Sequence, residues 1–515
     1  MEKWDAIVIG AGNGGLAAAA FLAKEGKRTL LIERHNLPGG FATSFKRGRF
    51  EFEASLHELC GFGKNAGEGD VRRMFEALGI ADKIEWADIP GAYRLITLDD
   101  RKKTDAAMPF GVEAYIEKME EYVPGSKPSM KKLFALAEDI AKTTEFFGSL
   151  KGHYTTQAVK EILKNHLNFV RTAGYSVNDV LAALKVPKSA RDIFNAYWCY
   201  LGVDCDEVSF IHYISMVRTY LTYGAVIPKA RSHGMSSAIL DAFESFGGEV
   251  WFNSHVSRIN IENGRAKSVT LLDGTRAYAD HIICNASPHN VFGKMIDQTD
   301  VPDYELKRAN SRKFGARGLS VFLGLNKTAD ELGIEDHSYF IYNTVDSKKQ
   351  YELMKKIETN DVLAAVCLNR ADPDCSPKGT SILYFTTLYT DDAFRDVTAE
   401  NYFKTKQAIA DRMIINFERA LGIKIRDSIE EIEIATPMTY ARYTDTPQGV
   451  IYGYEAQGWD GIVPRIMMEG TEETIPGFRF AGGCGTQLSG YSSTLASGRN
   501  AAYKTLNDME KEAEL

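Results

Sequence analysis

Residues 5–15, D-A-I-V-I-G-A-G-N-G-G, restrict what the start of this chain can fold into. An apolar run over 6–9 breaks into glycines at Gly10, Gly12 and Gly15, and the next apolar run, T-L-L-I, closes on Glu33. The pattern predicts a buried strand, a tight turn at Gly10, a close backbone approach to a pyrophosphate at Gly12, and close helix packing at Gly15. The Ala-rich stretch 16–24 is the expected helix, whose N-terminal N–H groups and positive dipole end would face phosphate charge. Glu33, eighteen positions after Gly15, is placed to accept hydrogen bonds from a ribose hydroxyl. Strand, glycines, helix, second strand and terminal acid together predict a dinucleotide site.

With 515 residues the chain exceeds one ordinary core, and its length fits about two to four domains. Its 44% hydrophobic and 25% charged content is that of a globular protein. A net charge of −8, with no basic tract interleaved with aromatics, argues against nucleic-acid binding. The seven cysteines are scattered and lack C-x-x-C spacing, so neither a disulfide framework nor a metal site is expected, and a cytoplasmic location is the default reading. No run of eighteen apolar residues suggests a membrane span, which leaves peripheral membrane contact open.

Residues 1–100 are rich in strands and turns, 101–220 read as helices, and 221–295 return to α/β character with turns at 262–264 and 272–274. Residues 296–445 mix strands (319–325, 382–388) with a helix over 401–421, and 446–515 end in strand, Gly-rich loop and helix. The separated α/β blocks predict a discontinuous Rossmann-like α/β domain in three parts (1–100, 221–295, 446–515). The insertions are a helical cap (101–220) and a sheet-and-helix part (296–445) of an α+β substrate domain.

Several motifs carry a resemblance. They are the run from Gly10 with Glu33, P-G-G at 38–40, F-E-F-E-A-S-L-H at 50–57, H-G-M-S at 233–236 and G-G-E-V-W-F-N-S-H-V at 247–256. They continue with L-L-D-G-T at 271–275, C-N-A-S-P at 284–288, T-P-M-T-Y-A-R-Y-T at 436–444, G-V-I-Y-G-Y-E at 449–455 and the tail 480–502. Together they resemble the phytoene desaturase, carotenoid isomerase and retinol saturase group of FAD-dependent oxidoreductases; residues 110–220 carry no such motif. The resemblance implies an amine-oxidase-like architecture and FAD lying along Gly10, Gly12, Asn13, Gly14 and Gly15, with its ribose on Glu33. The next residue, Arg34, raises the alternative of a 2′-phosphate, but no second fingerprint exists, so NAD(P)H would be a visiting reductant. The flavin ring would lie near Gly39, Gly40, Phe41, Ala42, Gly482, Gly483, Ser489, Gly490, Tyr491 and Ser492, and Val256 would meet the adenine through its backbone. A helix starting at 492–494 would set its dipole against the flavin. Phe41 and Gly483-Cys484 depart from the group's pattern, so ring contacts do not carry over.

The candidate catalytic residues are His57, Tyr491 and Tyr440. An imidazole with an ordinary pKa could exchange a proton beside a hydride-transfer site, and the alternative for His57 is a purely structural hydrogen bond. Tyr491 could stack, act as an acid or only pack; Tyr440, Arg442 and Tyr443 could form a substrate face; Cys484 raises covalent flavin attachment against a buried thiol. Phe146-Phe147 and the apolar stripe 133–140, beside Lys127, Lys131 and Lys132, could line a lipophilic tunnel or touch a membrane, although such stripes usually face a core. The expected activity is desaturation, saturation or isomerisation of carbon–carbon double bonds in a long apolar substrate. The competing functions are a flavin amine oxidase and a non-catalytic lipid or prenyl carrier. The oligomeric state is not read from the sequence.

Overall fold

The computed structural model describes residues 3–99, 103–150, 155–390, 392–456, 458–460, 464–465, 474–484 and 489–514; at 147–149, 159 and 484 only the backbone is described. One seven-stranded sheet draws on three distant stretches of chain. Its order is Glu249–Trp251, Thr29–Ile32, Lys3–Ile9, Arg276–Cys284, Arg265–Leu271 and Val256–Glu262. Phe478–Phe480 runs parallel to the end of Arg276–Cys284, pairing Ile282 with Phe478 and Cys284 with Phe480. The discontinuity expected from the separated α/β blocks is thus physical, because the strand beside the first one is almost three hundred residues away in sequence.

The Asn13–Lys24 helix is buried on every side from Asn13 to Ala23. The Arg231–Ser245 and Tyr491–Glu514 helices cover it, and its alanines are what permit such close packing. It begins earlier than the expected residue 16, because Gly12 serves as its N-cap without any side-chain cap. The tail helix likewise starts at Tyr491, one residue ahead of the expected 492–494. The Gly-Gly-Glu turn at 247–249 leads as expected into the antiparallel strands Val256–Glu262, Arg265–Leu271 and Arg276–Cys284.

A second seven-stranded sheet has the order Ile429–Ala435, Arg317–Leu325, Ser381–Tyr389, Leu363–Cys367, Ser338–Tyr342, Tyr93–Thr97, Asp105–Met108. Tyr93–Thr97 and Asp105–Met108 fall on either side of residue 100, yet both join this sheet; their short polar-flanked runs carry no signal of which sheet they will enter. The Tyr402–Leu421 helix buries Ile409, Met413 and Phe417 on one face, at the spacing an amphipathic helix requires.

The helices Val112–Tyr122, Lys127–Ser149, Val177–Ala183 and Phe210–Tyr223 form the cap. Leu133 and Ile140 are fully buried in its core with Tyr115, Phe194 and Tyr213. The 133–140 stripe therefore packs inward and is neither a membrane-facing surface nor a tunnel wall. Lys127 pairs with Glu117, while Lys131 and Lys132 are exposed. Phe146 stacks on His166, with ring centroids 5.0 Å apart, and the side chain of Phe147 lies outside the described residues. Among the described residues no helix is long and apolar enough to cross a membrane.

Candidate active site

Where the three segments of the first sheet meet, Asn285 follows the end of its strand and donates its backbone N–H to Ile9 O at 2.8 Å. Its side chain is wedged between two glycines: a Cβ on Gly12 would come within 2.8 Å of Asn285 Nδ2, and one on Gly482 within 2.0 Å of Asn285 Oδ1. Gly15 has no room either, since its Cβ would lie 1.8 Å from Gly10 O. Gly15 and Gly482 thus shape the cradle from behind. Glu33 is pinned at the end of its strand, accepting Ala11 N–H at 2.6 Å and His35 N–H at 2.8 Å; each carboxylate oxygen keeps a lone pair for a hydroxyl donor. Arg34 stays at the cavity wall, where it donates to Arg442 O at 3.1 Å and pairs with Asp445 at 3.7 Å.

A cavity of about 1430 Å³ opens from this cradle, more than a single drug-sized ligand fills. Gly10, Gly12, Asn13, Gly14, Glu33, Arg34, Gly39, Gly40, Phe41, Ala42 and Val256 line it, and so do Gly483, Ser489, Gly490, Tyr491 and Ser492. The same cavity continues past His57, Tyr440, Tyr200, Tyr220, Tyr384 and Tyr452 to the cap residues His212 and Met216. The three side chains expected to be catalytic therefore share one chamber with the glycine cradle. Arg442 is exposed, whereas Tyr443 is at the rim among the lining residues.

The donor set fits a dinucleotide of the FAD type. The glycine loop leaves the N-terminal N–H groups of the Asn13–Lys24 helix without a side-chain cap, and buried Asn13 Oδ1 has no partner. The N–H groups are donors a bound pyrophosphate would engage, whereas the Asn13 oxygen, an acceptor, would take a hydroxyl or N–H donor. The first turn of Tyr491–Glu514 also lines the cavity through Tyr491, Ser492, Ser493 and Thr494. The side chain of Cys484 lies outside the described residues.

Tyr491 has a fixed hydroxyl. It donates to Phe41 O at 3.2 Å and lies 3.0 Å from Ser55 Oγ and 3.1 Å from Ser232 Oγ. Burial pushes its ionisation well above the usual 10, so it acts as a clamp joining the tail helix to the Gly39–Gly40 loop region. Beneath it, buried Glu53 accepts Ser232 N–H at 2.8 Å. Burial raises the Glu53 carboxyl against the lowering effect of that bond. Tyr440 donates to Ser320 Oγ at 2.8 Å, and the Phe41 ring packs on it at 5.5 Å. The Phe41 departure from the motif thus builds an aromatic wall.

His57 Nε2 lies 3.2 Å from Thr386 Oγ1, and its ring meets Tyr384 edge-on at 4.7 Å. Burial lowers its pKa from 6.5 to about 4, which keeps the imidazole neutral. The neighbouring Glu58 did not emerge from the sequence. Tyr200 donates to Glu58 Oε1 at 2.7 Å, Oε2 has no partner, and burial pushes the carboxyl up to about 8. A local sequence signal existed, since Glu58 directly follows His57, but nothing in the sequence places the tyrosines around it. Asn285 was likewise inside a quoted motif without a role.

Comparison with known proteins agrees with this geometry. Residues 8–78 match the family described as NAD(P)-binding Rossmann-like domain. Fold and relatives define an oxidoreductase with a Rossmann-like domain and the amine-oxidase-like architecture. More particularly, the chain is 26% identical to all-trans-retinol 13,14-reductase of Danio rerio over 91% of this chain and 79% of that one. It is 24% identical to prolycopene isomerase 2, chloroplastic, of an Oncidium hybrid, over 88% and 75%. Cyclohexylamine oxidase from Brevibacterium oxydans shares the fold, with a TM-score of 0.61, 15% identity and full coverage of both chains. The resemblance read in the motifs is borne out along the chain, and an enzyme, not a carrier, is what these relatives support.

Proposed function

We propose that the chain binds FAD in the glycine cradle and acts on carbon–carbon double bonds of a long apolar polyene, of the retinoid or carotenoid kind. The observation that carries the reading is the continuity of one cavity from the Gly10–Gly14 loop region to a chamber walled by Phe41, Tyr200, Tyr220, Tyr384, Tyr440 and Tyr452. Bound FAD supplies a ring that accepts or gives hydride. Gly12, Gly14 and Asn285 hold the backbone open for the pyrophosphate, and Glu33 offers its free lone pairs to the ribose. The tyrosine walls bury and orient an apolar chain and exclude water. His57 stays neutral and fixes Thr386 at the chamber floor.

The names of the sequence relatives, a retinol reductase and a prolycopene isomerase, support the polyene substrate class. NAD(P)H fits the role of an external reductant. The test is the visible spectrum of the purified protein after anaerobic reduction and addition of all-trans-retinol or a cis-carotenoid. Flavin bands with conversion of the polyene are the expected result. A protein that binds no flavin, or whose oxidised flavin is bleached by simple amines and never acts on a polyene, overturns the reading; bleaching by amines would favour the amine oxidase alternative.

A further inference from the structure

Glu58 lies in the cavity wall and is 5% exposed. Its two oxygens are used unequally. Oε1 accepts the Tyr200 hydroxyl at 2.7 Å, while Oε2 is buried with no hydrogen-bond partner. Among the described residues no cation is paired with it, and the side chains around it belong to the cap and the wall: Tyr200, Tyr197, Tyr220 and the thiols of Cys60 and Cys199. Tyr220 donates to the Glu58 backbone carbonyl at 3.4 Å, and Ser492 donates to Cys60 O at 2.9 Å. That short run of backbone therefore ties Glu58 to the first turn of the tail helix on one side and to the cap on the other.

A carboxylate in such a site would leave one charged oxygen with nothing to stabilise it, a heavy cost in an apolar wall. A carboxylic acid suits the geometry better: the carbonyl-like Oε1 accepts from Tyr200, and the proton resides on Oε2. We propose that Glu58 is held as a neutral acid and gives its proton to a carbon of the polyene bound in this chamber. The proposal rests on the polyene reading above. In the step, the carboxyl group turns about its last side-chain bond to bring the proton from the buried Oε2 position to the chamber surface. The O–H bond breaks, the π pair of one double bond forms a new C–H bond, and positive charge spreads over the conjugated chain, leaving Glu58 a carboxylate. Return of a proton to Glu58 after bond rotation gives a geometric isomer with no net redox change. In the saturating outcome a hydride, with its electron pair, arrives instead from an external dihydronicotinamide, which leaves as the oxidised nicotinamide, and Glu58 regains its proton from water.

The flavin-loaded protein, labelled with carboxyl-¹³C glutamate, provides the first test. Infrared difference spectra at neutral pH should contain a carboxylic-acid band that vanishes in Glu58→Gln and moves in Tyr200→Phe, where Oε1 loses its donor. Absence of any acid band removed by Glu58→Gln overturns the proposal whatever the substrate. The second test is turnover of all-trans-retinol or a cis-carotenoid in D₂O. Deuterium should enter the product carbon, Glu58→Gln should lower kcat by about 100-fold with KM little changed, and Glu58→Asp should recover part of it. Flavin absorbance of each variant reports whether the fold is intact. If wild type converts the polyene and Glu58→Gln does so equally fast, the Glu58 assignment fails alone. If wild type converts no polyene while the acid band is present, the functional reading is what fails, and the proton transfer falls with it.

Discussion

At single residues, the chamber separates two neighbours by environment. His57 is driven neutral and Glu58 is driven protonated by the same cause, removal from water. For Glu58 the folded pKa lies above the unfolded 4.5, so the folded state holds a proton that the unfolded chain releases between pH 4.5 and about 8. Stability from this site is complete below 4.5 and is lost as pH rises through that window. Glu58→Gln, which carries no ionisable proton, should therefore be more stable than wild type at neutral pH by up to a few kcal/mol, and the gain should shrink towards pH 4. Thermal melts of both proteins across that range check it; equal melting temperatures at neutral pH would contradict a buried acid. For His57 the expectation is kinetic. A neutral ring gives no limb near pH 6.5 in the rate profile, and His57→Ala should keep its flavin while losing about tenfold or more in turnover. A wild-type limb near 6.5 that His57→Ala abolishes would show an imidazole titrating in the usual range.

Among elements, the packing of the first helix against the last decides whether the cradle keeps its shape. Gly498 of the tail helix faces the first helix so closely that an added Cβ would come within 2.0 Å of Gly14 O and 2.9 Å of the Ala17 Cβ. Gly498→Ala must push the helices apart, and because Gly14 itself lies against Gly482, that displacement reaches the phosphate cradle. The expected cost is about 1–3 kcal/mol of stability, with weakened flavin retention measured by release on dilution. Retention equal to wild type would mean the cradle is insulated from this contact. Elements were also where the sequence was easiest to read. The first strand, glycine turn, Ala-rich helix and terminal acid announce themselves because their roles follow from backbone geometry within thirty residues. Glu58 and Asn285 were not legible for the opposite reason: their meaning comes from Tyr200, Gly12 and Gly482, brought in by tertiary packing. The Thr386 partner of His57, 329 positions away, is a similar case. The 133–140 stripe shows the same limit in reverse, since periodicity reports that a face is buried without saying whether core, ligand or lipid covers it.

In the molecule as a whole, burial of titratable groups in the chamber and the two sheets sets the pH at which the fold is most secure. Four histidines are lowered by burial: His57 to about 4, His212 and His337 to about 3, and His289 in the same direction. In the unfolded chain each would take up a proton below 6.5, so their contribution is present above 6.5 and is lost as pH falls towards the folded values. Glu58, Glu53, Asp204 and Asp336, all raised by burial, act in the opposite sense, because the folded state keeps protons that unfolding releases. Near pH 5 to 6 His57, His212 and His337 each take up a proton on unfolding while Glu58 gives one up, so among these four groups the unfolded state binds more protons and stability climbs with pH. Above about pH 6.5 the histidine contribution levels off while Glu58 still favours the lower pH, so the climb must stop. The melting temperature should therefore rise from pH 5 to about 6.5 and then flatten or decline, with net proton uptake on unfolding below the maximum. In Glu58→Gln the maximum should move to higher pH, because an opposing proton has been removed. A melting temperature that keeps rising past pH 8 in wild type would mean that Glu58 is ionised in the folded chamber, and with it the proton that the chamber is built to hold would be gone.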